Sequence, residues 1–400
     1  MALPKGGYAP DLDKFLDTLK GRPVDAAVDF LISLLKRRQI RGSESCAIAT
    51  ARVLLQVVAK DKWADVDHLI GRIQLVGRKL VAAQPHELVI GNIVKRVLGL
   101  IRDEASEERN DVGNDSPSSE TSLPPAMVPA PTEKSTRPPF VVLGSFARTQ
   151  SMFGLLSDPD FTPSPGSTPL LGSGSSTPQR NPQSTNIQAL KSEVIDGIEE
   201  IVDEIKQVDE QIQNYADIHI HPGDYIMVYE PTKTVQRFIT RASSKRKFIV
   251  FLVVDPSTTS SSDPYTSFRK ALSSGGSTVV NVMNVGLMAY MSRVNKVILG
   301  ARAITSTGGV VVDSGAAAIA RAAQQQGRTV IILGGVYKIS PDSCTHKETS
   351  VEWGNPSKYV NFADGQMVRH VKVKNAAAEF IPSEFVNTYI TNLYVIFFFP

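Results

Sequence analysis

Four hundred residues with 42% hydrophobic side chains leave room for two or three domains with buried cores. A net charge of +3 excludes a chain ruled by one sign of charge, and a nucleic-acid surface would need Lys and Arg gathered on one face. Two cysteines, Cys46 and Cys344, exclude a disulfide framework and fit a reducing compartment.

The opening residues, MALPKGGYAPDLDKF, lack the apolar run of a secretory signal. No apolar stretch reaches the ~18 residues that span a bilayer. The expectation is a cytoplasmic (cytosolic) chain with no membrane partner and no direct nucleic-acid partner.

Residues 1–105 read as an N-terminal helical domain. Val24, Ala27, Val28, Leu31, Leu34 and Leu35 recur at helical spacing. Ser43 opens a second helix carrying Ile48, Val53, Leu54, Val57 and Val58. A third runs from Asp65 and stops before Pro85, which disfavours helix in the residue ahead of it. A fourth carries Leu88, Val89, Ile93, Val94, Val97, Leu98 and Ile101. Four amphipathic helices with short breaks suit a bundle. Two basic clusters lie between the stripes: Lys36, Arg37, Arg38 and Arg41, then Lys95, Arg96 and Arg102. Each reads either as a solvated helix face or as a docking surface for an acidic partner.

Residues 106–186 hold about half of the 25 prolines, with many Ser, Thr and Gly. So polar a segment cannot bury enough surface to offset its ordering entropy, and it reads as a disordered insertion. Phe140 to Leu156 is an apolar island within it. Thr162, Ser164, Thr168 and Thr177 precede prolines and have the pattern of phosphorylation sites.

From Ile187 an apolar stripe keeps helical step to Ile212. Strand and helix then alternate. Tyr225–Glu230, Phe248–Val254, Thr278–Met283, Lys296–Gly300 and Thr329–Leu333 read as strands; Val235–Ala242, Tyr265–Leu272 and Gly315–Gln326 read as helices, the last with Ser314 as N-cap. Apolar runs joined by helices make right-handed crossover units of a parallel sheet. The fold class is therefore α/β: a helical domain (1–105), the insertion (106–186), then a long helix and a Rossmann-like doubly wound parallel sheet (187–400). In such sheets ligands sit beyond the carboxyl ends of the strands, which singles out the loop Ala301–Gly309.

Several chemistries lack their residues. No G-x-G-x-x-G follows the first strand, and neither Gly275-Gly276 nor Gly308-Gly309 leads into Gly-Lys-Ser/Thr. His219 and His221 fall on one face if the strand reaches them, but four zinc ligands do not gather. No metal and no cofactor is expected. Cys46 reads as a core thiol, and Cys344 has no nucleophile motif around it.

The stretch VMNVGLMAYMSRVNKVILGARAITSTGGVVVDSGAAAIARAAQQQGRTVIILGGVYKISP resembles the regulatory alpha, beta and delta subunits of eukaryotic translation initiation factor 2B. LLKRRQIRGSESCAIATARVLLQVV and IHPGDYIMVYEPTKTVQRFITRASSKRKFIV agree. The resemblance covers most of the chain outside 106–186 and the last few residues. It implies a non-catalytic subunit of the guanine-nucleotide exchange factor that reloads initiation factor 2. The implied partners are sister alpha, gamma, delta and epsilon subunits and the alpha subunit of initiation factor 2.

The same fold resembles sugar-phosphate aldose–ketose isomerases such as methylthioribose-1-phosphate isomerase. Those carry a Cys in a motif like G-D-x-I-L-T-H-C-N and an Asp in one like G-A-D-R-I. Here Glu230 stands at the Cys position and Arg302 at the Asp position. A residual anion pocket would draw on Arg302, Thr305, Gly308 and Gly309 near a helix N-terminus, beside Glu230; the other reading is a turn with a surface Arg. A standalone nucleotide-binding module is the third alternative. After Thr391-Asn392 the family pattern runs into Gly-Gly, a Ser turn and a Tyr-Arg helix. Here LYVIFFFP follows, and an exposed YVIFFF would be an aggregation hazard.

Overall fold

The apolar stripes close on one another through a first run of helices: α1 (Leu12–Leu19), α2 (Val24–Lys36), α3 (Ser43–Lys60), α4 (Val66–Ala83) and α5 (Leu88–Asn114). The computed structural model describes residues 12–114, 182–254, 265–342, 352–354, 360, 365 and 370–397. The readings made of the Phe140–Leu156 island, of the Ser/Thr-Pro sites, of Cys344 and of most of the 106–186 insertion lie outside these residues.

Pro23 precedes α2, where its fixed φ suits a helix start. Gly42, at φ 88°, turns the chain into α3 ahead of Ser43. The periodic positions point inward as expected: Leu31, Leu34, Leu35, Val53, Leu54, Val57, Leu69, Ile73, Leu80, Ile93 and Val97 are buried. α1 is an addition to the four helices read from the sequence.

α6 (Pro182–Gln213) is the joint of the molecule. Its stripe of Val194, Ile198, Val202, Ile205, Val208 and Ile212 is buried. It packs on α3 on one side and on α8 (Lys233–Ser243) on the other. The short α7 (Ala216–His219) follows α6. One continuous cluster of buried side chains therefore runs from Phe15 to Ile390. Residues 1–112 and 182–400 form one compact unit.

The main sheet holds β1 (Tyr225–Tyr229), β2 (Ile249–Val253), β3 (Thr278–Val282), β4 (Lys296–Gly300), then, past a side sheet, β7 (Thr329–Leu333), β10 (Thr388–Ile390) and β11 (Val395–Phe397). The order is β11-β10-β7-β4-β1-β2-β3. All neighbours are parallel except β10 and β11. The expected α/β class with a helical N-terminal region holds. β1, β2, β4 and β7 are near-continuous apolar runs because helices cover both faces. α9 (Thr266–Ser274), α10 (Leu287–Met291) and α11 (Ala316–Gln325) complete the crossovers.

Three expectations need correction. A second, antiparallel sheet, order β5-β6-β9-β8, is built from β5 (Ala303–Ile304), β6 (Val310–Asp313), β8 (Glu352–Gly354) and β9 (Asn375–Ile381). Its strands are mostly short, and the central β6–β9 pairing spans a long sequence gap, so no local periodicity announces the sheet. Ser314 does not cap α11. Gly315 does, at φ 106°, and the Glu379 carboxylate accepts from the N–H groups of Gly315 (2.6 Å) and Ala317 (2.7 Å). His219 ends α7 and His221 lies in the turn before β1, so no strand aligns them.

Candidate functional site

The connections leave β1 toward β2 and β3 but leave β4 toward β7 and β10, so the sheet reverses its winding between β1 and β4. At such a point the strand ends part and open a crevice. A cleft of about 710 Å³ opens there. The α2–α3 turn, the α4–α5 turn, the start of α8, the end of β4, β8 and β9 line it.

Its lining is charged. Arg302, just past β4, is half-buried; its Nε donates to Asp313 Oδ1 at 2.7 Å and its Nη1 to Glu352 Oε2 at 3.1 Å. Arg38, at φ 52°, turns the end of α2 back toward the cleft, where its Nη2 lies 2.7 Å from Glu352 Oε1. Ser43 Oγ donates to the Arg302 carbonyl at 3.1 Å, and Arg41 Nε to the Arg38 carbonyl at 2.6 Å.

Deeper in, Lys338 Nζ donates to the Ala301 carbonyl at 2.9 Å. Burial holds that ammonium below the usual lysine range, against the pull of nearby carboxylates. Burial pushes the Glu87 carboxyl up, a rise that the nearby Ser43 side chain and the charge of Arg302 partly offset. Cys46 is buried behind them, and burial raises its thiol far from the reactive range.

The residues singled out from sequence separate into groups. Arg302, Arg38 and Arg41 line the cleft. Glu230 follows β1 with φ 34°, a conformation rare for a residue with a Cβ, and its N–H donates to the Val253 carbonyl at 3.2 Å. Thr305, Gly308 and Gly309 form the β5–β6 turn. Thr305 N–H donates to the Gly309 carbonyl (2.8 Å) and Gly308 N–H to the Thr305 carbonyl (2.9 Å). The Tyr389 hydroxyl donates to the Gly308 carbonyl. Those two amides are spent within the turn, and none of its three residues lines the cleft.

Lys36, Arg37 and Arg102 are exposed. Lys95 pairs with Asp342 at 2.7 Å and Arg96 pairs with Glu204. Sequence reasoning missed Glu87, Asp313, Lys338 and Glu352. Each is a single polar residue whose meaning comes from partners far along the chain. No cluster of metal-binding side chains and no helix fit to cross a membrane exists among the described residues.

Comparison with known proteins places these features in context. The model of the "Initiation factor 2 subunit family" matches residues 39–396. Translation initiation factor eIF2B subunit beta of Schizosaccharomyces pombe is 32% identical over 376 residues, 92% of this chain and 91% of that protein. The crystal structure of the tetrameric eIF2B-beta2-delta2 complex from C. thermophilum contains a chain similar at a TM-score of 0.65 and 36% identity, covering 96% of this chain and 94% of that one. Ribose 1,5-bisphosphate isomerase of Pyrococcus furiosus is 25% identical over 212 residues, 53% of this chain and 64% of that enzyme.

Proposed function

The chain belongs to the initiation factor 2 subunit family, and from that premise we propose that it is a non-catalytic regulatory subunit of the exchange factor that reloads initiation factor 2 with GTP. It occupies the beta position beside sister alpha, gamma, delta and epsilon subunits and meets the alpha subunit of initiation factor 2. The site of action is cytosolic.

One observation carries the non-catalytic part. Aldose–ketose isomerisation moves a proton between adjacent carbons, which needs groups with pKa values near the working pH. Past β1 and β4 stand Glu230 and Arg302 where the resembling isomerases have Cys and Asp, and of the two Arg302 lines the cleft. A guanidinium stays protonated and cannot act as base. Arg302 is moreover held by Asp313 and Glu352, so its donors face carboxylates of the chain itself. The scaffold is kept while the proton-moving pair is gone.

The assembly part draws support from the far edge of the sheet. Beyond β3, Met283, Val285 and Met288 are 70%, 98% and 51% exposed. Contiguous exposed apolar side chains mark a contact face, and a sister subunit of the same fold is its fitting occupant.

The reading is tested by incubating the full chain with ribose 1,5-bisphosphate and with methylthioribose 1-phosphate. No ketose forms above the uncatalysed rate. Turnover that disappears on Arg302→Ala or Glu230→Ala would restore the isomerase reading.

A further inference from the structure

Glu352 sits on β8, and its side chain is only 7% exposed. Its two carboxylate oxygens face guanidinium groups from distant parts of the chain. Oε1 is 2.7 Å from Arg38 of the α2–α3 turn, and Oε2 is 3.1 Å from Arg302 beyond β4. The next carbonyl, that of Trp353, accepts from Arg38 Nη2 at 3.4 Å. Arg302 keeps Asp313 on its other side at 2.5 Å, and its carbonyl accepts from Ser43 Oγ.

Two planar forks converging on one small anion is an oxyanion clamp in form. A buried carboxylate is expensive unless its charge is met, and here each oxygen is met by a guanidinium from a different part of the chain. Neither helix nor sheet formation requires the arrangement. Arg38 adopts a left-handed backbone, unusual for its type, in the turn that carries it to the clamp. The contact also ties the helical region to the sheet, since Arg38 belongs to the first and Glu352 and Arg302 to the second.

We propose that Glu352 is a resident anion: it fills, from within the chain, an oxyanion site made by Arg38 and Arg302, and so straps the α2–α3 turn to the sheet. In the intact protein an external oxyanion finds the clamp taken. Removing the carboxylate leaves two guanidinium groups facing a vacancy of the same size and sign, which a free oxyanion then enters.

The test is chemical rescue of the purified full chain, with inorganic phosphate as probe. Glu352→Ala lowers the melting midpoint by about 5 °C, the scale expected for breaking a buried ion pair in a chain of this size. Phosphate restores more than half of that loss and saturates as a single site does; sodium chloride at equal ionic strength does not. The parent chain gains less than a third as much from the same phosphate. The double variant Arg38→Ala/Glu352→Ala loses the rescue. Should Glu352→Ala not fold, Glu352→Ser keeps a small polar residue on the strand and still leaves the anion's place open. Its amide hydrogens in the α2–α3 turn then exchange faster than the parent's and slow on adding phosphate. Equal gains in parent and variant, rescue that survives in the double variant, or a folded Glu352 variant blind to phosphate each overturns the proposal.

Discussion

His219 shows how one side chain writes a pH dependence into the fold. It ends α7 beneath Lys296, whose Nζ donates to the His219 carbonyl at 2.7 Å. Burial first, then the Lys296 and His221 charges, hold its imidazole below the usual histidine value. The folded state thus prefers the neutral ring. Its contribution is complete above the unfolded value, near pH 6.5, and is lost as pH falls through the lower folded value. Urea midpoints should drop as pH falls below about 6.5, and His219→Gln should flatten that part of the profile while leaving the stability at pH 8 within about 0.5 kcal/mol. Individual residues were only partly legible in the sequence. Arg302 and Glu230 stood out against a known pattern, and Arg38 and Arg41 as charges. Glu352 and Lys338 did not, because a buried charge is recognised by what neutralises it, and those partners lie elsewhere in the chain.

At the scale of elements, the helices and parallel strands were readable because burial imposes its own period. A stripe at helical spacing or a run of Val, Ile and Leu is the surface that must leave water. Bounds differ by a residue or two at β2 and α8, and by more at α5 and α6: α5 runs on to Asn114 and α6 starts at Pro182, so both ends of the span 106–186 read as a disordered insertion are helix. The side sheet was not readable: its strands run from two to seven residues, and β6 meets β9 across a long gap. That sheet has a local task. It carries Glu379 to the start of α11, a helix whose first turn supplies no capping side chain. One carboxylate oxygen there meets two N–H groups and the positive end of the helix. Glu379→Ala should cost about 1–2 kcal/mol in chemical denaturation, and Glu379→Gln about half of that, since the amide keeps an acceptor but no charge.

For the whole molecule, the proposed assembly rests on surfaces that isolated folding does not need. Val285→Asp should leave the melting midpoint of the lone chain within about 1 °C, since so exposed a side chain gains little from folding. In a native-mass measurement it should weaken pairing with a sister subunit about tenfold or more. Lys36 and Arg37 are exposed and stand apart from the cleft, unlike Arg38. Lys36→Glu/Arg37→Glu should slow association with initiation factor 2 at low salt by about tenfold and have little effect at high salt, as charge steering acts on encounter. No change at either salt would remove that surface from the reading.

The shared interior around α6 has a further consequence. A protease that nicks the chain between residues 114 and 182 need not release two independent pieces, because each half would carry away one wall of the same oily seam. The halves of such a cut chain should migrate together on a sizing column and part only in denaturant. Expressed separately, each would shed a naked stripe into water and precipitate.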